Sequence, residues 1–441
     1  MLRLQAVTFL QKNYKVSVIH AVEQLVPSDH RPTKRRLRLA IVTETYPPEV
    51  NGVAQTIAKV VEGLSLNGHT ITLVRPSQGS PSGRPLSPNI REVLVAGVPI
   101  PKYRQFKIGL PAIRKLTRLW RNERPDLVHI VTEGPLGFSA LLAARYLGIS
   151  VASEFRTNFH SYCAHYGVGW LARPIVGYLR WFHNRTHRTM VPTRRLAAEL
   201  ASHGFENLQV VARGVDTRLF DPAKRCPALR DSWGVSVNSL VVLYVGRLAD
   251  EKNLPLLLSA FERIHQARSD SKLVLVGDGP ARANLARRCP QAIFAGIQKG
   301  EELARYYASG DLFLFPSLTE TFGNVTPEAM ASGLAVVAYD HAAAGELIQT
   351  GENGVLAEPT KPSQFCDLAE HLAKHPNEVV RLGLRARQTV LRLGWPTIID
   401  EVEKVYAELC KPSELASSVP DNERSRGCFQ GEGEEGFKTS I

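Results

Sequence analysis

The chain is notable first for what it has little of. Six cysteines occur in 441 residues (Cys163, Cys226, Cys289, Cys366, Cys410 and Cys428), and none forms a Cys-x-x-Cys pair or a zinc-finger spacing. That pattern argues against a disulfide-stapled scaffold and a cysteine zinc site, and it predicts reduced thiols in a cytoplasmic protein. No apolar run reaches the roughly 18 residues that a spanning helix needs, so no transmembrane helix is predicted. Residues 1–36 do not read as a signal peptide, because Gln11, Lys12, Asn13 and Lys15 interrupt their apolar positions. No Asp-x-Asp occurs anywhere, which removes the usual acidic clamp for a divalent metal. No Gly-x-Gly-x-x-Gly follows the first strand, so the dinucleotide fingerprint is missing too. There is no internal repeat.

What is present is a soluble composition, with 44% hydrophobic residues and a mean hydropathy of -0.12. The net charge is +12 and unevenly spread. Residues 1–220 hold 30 Lys and Arg against 13 Asp and Glu, and the remainder 24 against 29. A basic first half facing a mildly acidic second half suggests an anionic membrane or nucleic-acid partner for the first. The length predicts two domains. Short apolar strands alternate with helical patterns twice over, as in parallel sheets. The expected organisation is an extension over 1–36, a first domain over 37–212 and a linker over 213–225. A second domain over 226–394, a final helix over 395–410 and a disordered polar tail over 411–441 complete it.

The stretch Phe315 to Gly333 concentrates the chemistry. An apolar strand, Leu312 to Phe315, ends at the breaker Pro316. Thr326-Pro327-Glu328 then reads as a helix start with Thr at the N-cap. Glu320 lies in the loop and Glu328 in the helix. The amides of Gly323, Asn324 and the first helical turn suit a phosphate. Around it stand Gly246-Arg247-Leu248, Glu251-Lys252-Asn253, Gly277-Asp278-Gly279-Pro280 and Arg213-Gly214-Val215-Asp216. Any one is weak alone, but each follows a strand, and the order is informative.

Together these motifs resemble the retaining glycosyltransferases of family 4, over roughly residues 37–409. Within that family the wording of Thr43 to Val53 and of Arg213 to Pro222 looks most like GDP-mannose-dependent and other lipid-directed transferases. The resemblance implies the GT-B fold: two Rossmann-like parallel-sheet domains facing a cleft, with the C-terminal helix crossing back to the first. It implies a nucleotide diphosphate sugar as donor, a lipid or glycolipid acceptor and no cofactor or metal. Arg247 and Lys252 would meet the diphosphate as a fork and a point charge and stabilise the leaving group. Glu320 would contact the donor sugar, Glu328 the ribose hydroxyls, and His160 would lie near the sugar. Gly52, in Asn51-Gly52-Val53, resembles the loop where backbone approaches the diphosphate. Phe322, Gly323 and Asn324 are expected at the donor, and Ile297 at the nucleobase. His183 and His187, four apart, are not expected to bind metal, since no Glu follows the first.

Two basic stretches with interleaved aromatics, residues 102–124 and 170–188, are expected to attach to the inner face of the cytoplasmic membrane. The competing reading of each is a helix that packs its apolar face on the sheet. Other functional readings are a UDP-sugar-dependent transferase acting on diacylglycerol or a polysaccharide precursor, a nucleic-acid-binding protein, and a sugar-nucleotide sensor without turnover. No nucleic-acid module pattern supports the nucleic-acid reading, and the acidic second half would repel a phosphate backbone.

Overall fold

The computed structural model describes residues 35–49, 51–77, 87–100, 103–156 and 172–410. The expectations for the 1–36 extension, the 411–441 tail and His160 fall almost wholly or wholly outside these residues.

Two parallel sheets form the molecule. The first runs in the order β3-β2-β1-β6-β7-β8-β9. Its strands are β1 (Arg38–Val42), β2 (Thr70–Pro76), β3 (Ile90–Val95), β6 (Leu127–Ile130), β7 (Ser150–Glu154), β8 (Arg188–Val191) and β9 (Leu208–Val210). The hairpin of β4 (Gly97–Ile100) and β5 (Tyr103–Gly109) stands apart as a two-stranded antiparallel sheet. The second sheet runs β12-β11-β10-β13-β14-β15. It is built from β10 (Val241–Val245), β11 (Lys272–Val276), β12 (Ile293–Gly296), β13 (Leu312–Phe315), β14 (Ala335–Tyr339) and β15 (Val355–Ala357). Every residue of β10, β13 and β14 is buried. Continuous apolar strands of this kind arise because helices cover both faces of a parallel sheet.

Some local expectations are corrected. The basic stretch 170–188 is not one helix: it is helical over Ala172–His183, and Arg188 opens β8. The amide of His187 is taken by the Val151 carbonyl at 2.9 Å, which draws this segment into the sheet. The last strand of the half lies at Leu208–Val210, two residues before the expected Val210–Ala212. The hairpin β4–β5 was not anticipated, because Pro99, Pro101 and Gly97 mask its alternation.

Helix α1 (Gly52–Leu66) and helix α2 (Trp395–Leu409) join the halves. In α2, Ile398, Ile399, Val402, Val405 and Tyr406 repeat at helical spacing and are buried in the first domain's core with Ile57, Val60, Val61 and Leu64 of α1. Burying each large apolar side chain contributes about 1.5–3 kcal/mol. Close approach requires Gly63, where a Cβ would come within 2.6 Å of Ile399. Polar contacts fix the register: the Tyr406 hydroxyl is 2.8 Å from His129 Nδ1, and Glu403 Oε1 lies 3.0 Å from His69 Nε2. The chain therefore passes between domains twice. The passages lie side by side, with the Val215 amide donating to the Leu393 carbonyl at 2.9 Å.

Candidate active site

The carboxyl ends of the second sheet collect the residues singled out in sequence. Gly246 to Asn253 follows β10, Gly277 to Pro280 follows β11, and Pro316 to Asn324 follows β13. The first two loops stack backbone on backbone. A Cβ at Gly277 would collide with the Gly246 carbonyl, so only glycine fits there. The Leu248 amide donates to the Asp278 carbonyl at 3.0 Å, locking the pair.

Lys252 and Glu320, 68 residues apart in sequence, form a direct ion pair through Nζ and Oε1. Ser317 Oγ donates to the same carboxylate oxygen at 2.9 Å. Arg247 Nη1 lies 3.5 Å from Glu251 Oε1, and its side chain keeps 46% of its exposure. A cation held in a carboxylate's grip next to a second, accessible cation is suited to an arriving dianion. Gly323 adopts φ +84° against the Glu320 side chain, a left-handed conformation that glycine accepts readily.

The following helix spans Val325–Ala331 with Asn324 as its N-cap, two residues earlier than the expected N-cap Thr326. Asn324 makes no side-chain cap, and its buried Oδ1 has no hydrogen-bond partner among the described residues. Across the cleft stands Gly52, the first residue of α1. A Cβ at Gly52 would lie 3.6 Å from Asn324 Nδ2. The two domains thus bring Gly52 and Asn324 face to face. Asn51 caps α1 by accepting the Ala54 amide at 2.8 Å, and its Nδ2 donates to Thr45 Oγ1 at 2.7 Å. The loop that carries Gly52 is fixed in this way.

Glu328 is half-buried and accepts the Tyr307 hydroxyl at 2.9 Å on Oε2. Burial pushes its carboxyl up to about 7, with the Tyr307 hydrogen bond opposing. Ile297 is 64% exposed beyond Gly296. Phe322 departs from expectation: its ring is 2% exposed and sits in the second domain's core. Only its backbone is available to a donor, and the carbonyl is taken by the Ala343 amide at 2.7 Å. The apolar ring gains more from burial than from a polar cleft.

The structure adds residues that sequence reasoning left unassigned. At the floor of the cleft Arg156 pairs with Glu154, and Glu154 Oε1 lies 3.0 Å from His129 Nε2. Burial pushes the Glu154 carboxyl up, but Arg156 and His129 outweigh it and hold it at about 2. Arg213, from the linker, places its guanidinium 5.5 Å from the centre of the Phe322 ring. Burial and then Arg156 lower its pKa to about 9, against Glu154 and Glu320. Arg156 Nε and Nη1 and Arg213 Nη2 have no hydrogen-bond partner among the described residues. The available sequence signal was a carboxylate closing the apolar strand Val151 to Glu154 with Arg156 just after it. The partners His129 and Tyr406 come from distant segments. His183 and His187 are engaged elsewhere: His183 Nε2 is 3.2 Å from Glu133 Oε1, and His187 Nδ1 accepts the Val151 amide at 3.0 Å.

Family models describe the same two halves. "Glycosyltransferase Family 4" matches residues 50–219 and "Glycosyl transferases group 1" matches 239–375. A GDP-mannose-dependent alpha-mannosyltransferase of Mycolicibacterium smegmatis is 35% identical over 83% of this chain and 96% of its own.

The chain is a family 4 glycosyltransferase.

An alpha-monoglucosyldiacylglycerol synthase of Acholeplasma laidlawii is also similar to this glycosyltransferase, at 26% identity over 85% of this chain and 97% of its own. Sucrose-phosphate synthase from Thermosynechococcus elongatus shares the GT-B fold, with a TM-score of 0.69, 18% identity, and coverage of 85% of this chain and 99% of that one. No helix among the described residues of the glycosyltransferase is long and apolar enough to cross a membrane.

Proposed function

We propose that the enzyme transfers a mannosyl residue from GDP-mannose to a hydroxyl of a membrane lipid or glycolipid, with retention and without a metal. The observation that carries this reading is the juxtaposition of Arg247, the Lys252–Glu320 pair and, across the cleft, the start of α1 at Gly52. Donor identity follows the mannosyltransferase relative, which is similar along nearly its whole length.

The diphosphate lies between Arg247 and Lys252 on one side and the Gly52 end of α1 on the other. As the glycosidic bond breaks, its electron pair passes to the phosphate oxygen, and the two cations neutralise the growing charge. The acceptor hydroxyl attacks the sugar carbon from the face that the phosphate leaves. Its proton goes to the departing phosphate oxygen, so no protein nucleophile forms a bond. Glu320, held by Lys252 and Ser317, faces the donor sugar and favours positive charge developing there. Glu328 accepts the ribose hydroxyls on the oxygen that Tyr307 leaves open. With no Asp-x-Asp in the chain, the cation pair performs the electrostatic task that a metal would otherwise fill.

Two observations support a lipid acceptor. The first domain contains an apolar cavity of about 450 Å³ lined by Phe155, Leu179, Leu200 and Phe205, with Arg173 and Arg180 beside it. An acyl chain fits such walls, and an anionic head group fits the arginines. The helix Ile113–Glu123 presents Arg114, Arg118 and Arg121 to solvent. Its Leu116 and Trp120 are buried, so its apolar face packs inside and charge, with Leu110 and Ile113, is what remains for an anionic bilayer on the inner face of the cytoplasmic membrane.

A thermal-shift screen tests the donor without needing the acceptor. GDP-mannose is expected to stabilise the protein, and UDP-glucose, UDP-glucuronate and UDP-N-acetylglucosamine to do so less. A UDP sugar as the strongest ligand would transfer the reading to a UDP-dependent glucosyl- or glucuronosyltransferase.

A further inference from the structure

Away from the cleft, the helix Pro362–Lys374 turns into the helix Pro376–Val390 at a corner formed by His375. We propose that this corner is a divalent transition-metal site made by His371, His375 and Glu378. One potential ligand atom from each residue lies within 4.8 Å of the other two. The two imidazoles stack with centroids 4.1 Å apart. His371 and His375 are one helical turn apart, and Glu378 belongs to the first turn of the next helix.

The hydrogen bonds orient the donors. His375 Nδ1 lies 2.7 Å from the His371 carbonyl oxygen. A carbonyl only accepts, so Nδ1 carries the ring proton and Nε2 keeps its lone pair. A ligating histidine whose other ring N–H is given to a backbone carbonyl has its tautomer and ring direction set before the metal arrives. His371 Nε2 lies 3.0 Å from Glu378 Oε2; the carboxylate only accepts, so this nitrogen carries a proton that the arriving metal displaces to solvent, after which the nitrogen and oxygen are already near the spacing of adjacent ligands. The Glu378 amide donates to the His375 carbonyl at 3.0 Å and ties the third ligand to the second. Arg381 Nη2 sits 3.3 Å from Glu378 Oε1, while its Nη1 donates to the Gly351 carbonyl at 2.9 Å. Arg381 therefore supports the carboxylate from the side away from His371.

Neighbouring ligands on a tetrahedral ion with bonds near 2.0–2.2 Å sit roughly 3.4 Å apart. Small rotations of the imidazoles close the present spacing, and the His371 side chain is 53% exposed, so such rotation is unobstructed by packing. Two nitrogens and one carboxylate select Zn²⁺, Ni²⁺ or Cu²⁺. Ca²⁺ and Mg²⁺, which take oxygen ligands, are disfavoured. The outward face leaves the remaining coordination positions to water. The site takes no part in sugar transfer. Its effect is structural: it fixes the start of a helix whose Arg387 binds Asp221 at 2.7 Å and the Thr217 carbonyl at 3.0 Å in the linker.

The test uses full-length protein without an affinity tag, stripped with chelator and then freed of it. Zn²⁺ and Ni²⁺ are titrated by calorimetry, and Tm is followed against ion concentration. Wild type is expected to bind one such ion per chain at this site, with a Tm that rises with ion concentration and no response to Mg²⁺ or Ca²⁺. His371→Ala with His375→Ala should weaken that binding by at least about tenfold, and Glu378→Gln should weaken it too. Metal-free Tm should stay near the wild-type value in each variant. Cu²⁺ electron paramagnetic resonance on wild type gives a readout independent of the variants, with hyperfine coupling to two nitrogens expected. Absence of binding in wild type, a spectrum without nitrogen coupling, or equal affinity in the double variant would overturn the proposal. None of these outcomes depends on the donor or acceptor of the transfer reaction.

Discussion

Glu328→Gln isolates one half-buried carboxyl whose energetics can be worked out. Burial lifts the group from its ordinary 4.5 to about 7. Between those values the folded chain holds a proton that the unfolded chain has released, so stability falls as pH rises through this window. Below about 4.5 the carboxyl is protonated in both states and nothing is lost. Above about 7 the folded protein carries the full penalty. At about 1.36 kcal/mol per pH unit, the window amounts to about 3 kcal/mol. Glutamine keeps an acceptor for the Tyr307 hydroxyl and never ionises. The variant should therefore match wild type near pH 4.5 and exceed it by up to about 3 kcal/mol at pH 8. Glu44, also pushed up to about 7 chiefly by burial, titrates in both proteins and drops out of the difference. The assay is Tm and denaturant midpoint at pH 5, 6, 7 and 8, with and without GDP-mannose. If ribose hydroxyls donate to this carboxylate, donor affinity in wild type rises from pH 6 to 8 and the variant loses that dependence. A stability difference that does not change with pH would refute the electrostatic argument. Unchanged donor affinity in the variant would refute the ribose assignment.

Three further perturbations follow from the geometry. Lys252→Ala should cost about 2.7–4 kcal/mol of transition-state stabilisation, a loss of about 10²–10³ in kcat, measured by single-turnover transfer; full activity would remove Lys252 from the leaving-group role. Gly52→Val should lower donor affinity at least tenfold while Tm changes little, because added methyls at the start of α1 extend toward Asn324 across the cleft. Equilibrium titration with GDP-mannose checks it, and wild-type affinity would contradict the close approach of backbone to diphosphate. Tyr406→Phe should destabilise the fold by about 1–3 kcal/mol, since buried His129 Nδ1 loses its partner at 2.8 Å. Urea unfolding reads this directly, and an unchanged midpoint would show that the hydroxyl contributes nothing.

The alternation of apolar runs and turns was sufficient to identify two parallel-sheet halves, because a strand covered on both faces must be apolar throughout, as in Val241–Val245 and Leu312–Phe315. Less regular pieces were misread. Arg188 looked like the end of a basic helix, yet β8 takes it because the neighbouring strand β7 offers unpaired backbone groups. Phe322, inside a motif of polar function, belongs to the core. Local sequence holds no term for either outcome, since both depend on which surfaces are nearby.

The residue types of the cleft were likewise legible: Arg247, Lys252 and Glu320 stand in loops after strands, and Glu328 in the first turn of the helix that follows one, where parallel sheets expose their carboxyl ends. Sequence determined these elements and their chemistry because periodicity, caps and breakers act over a few residues. Only the tertiary structure decided the partnerships. It paired Lys252 with Glu320 and set Gly52 opposite Asn324. It also assembled Glu154, Arg156, His129, Tyr406 and Arg213 into one network from four separate segments. Charge pairing depends on distance in space, and that distance is fixed by how the sheets pack and by the helix that returns to bind the first domain.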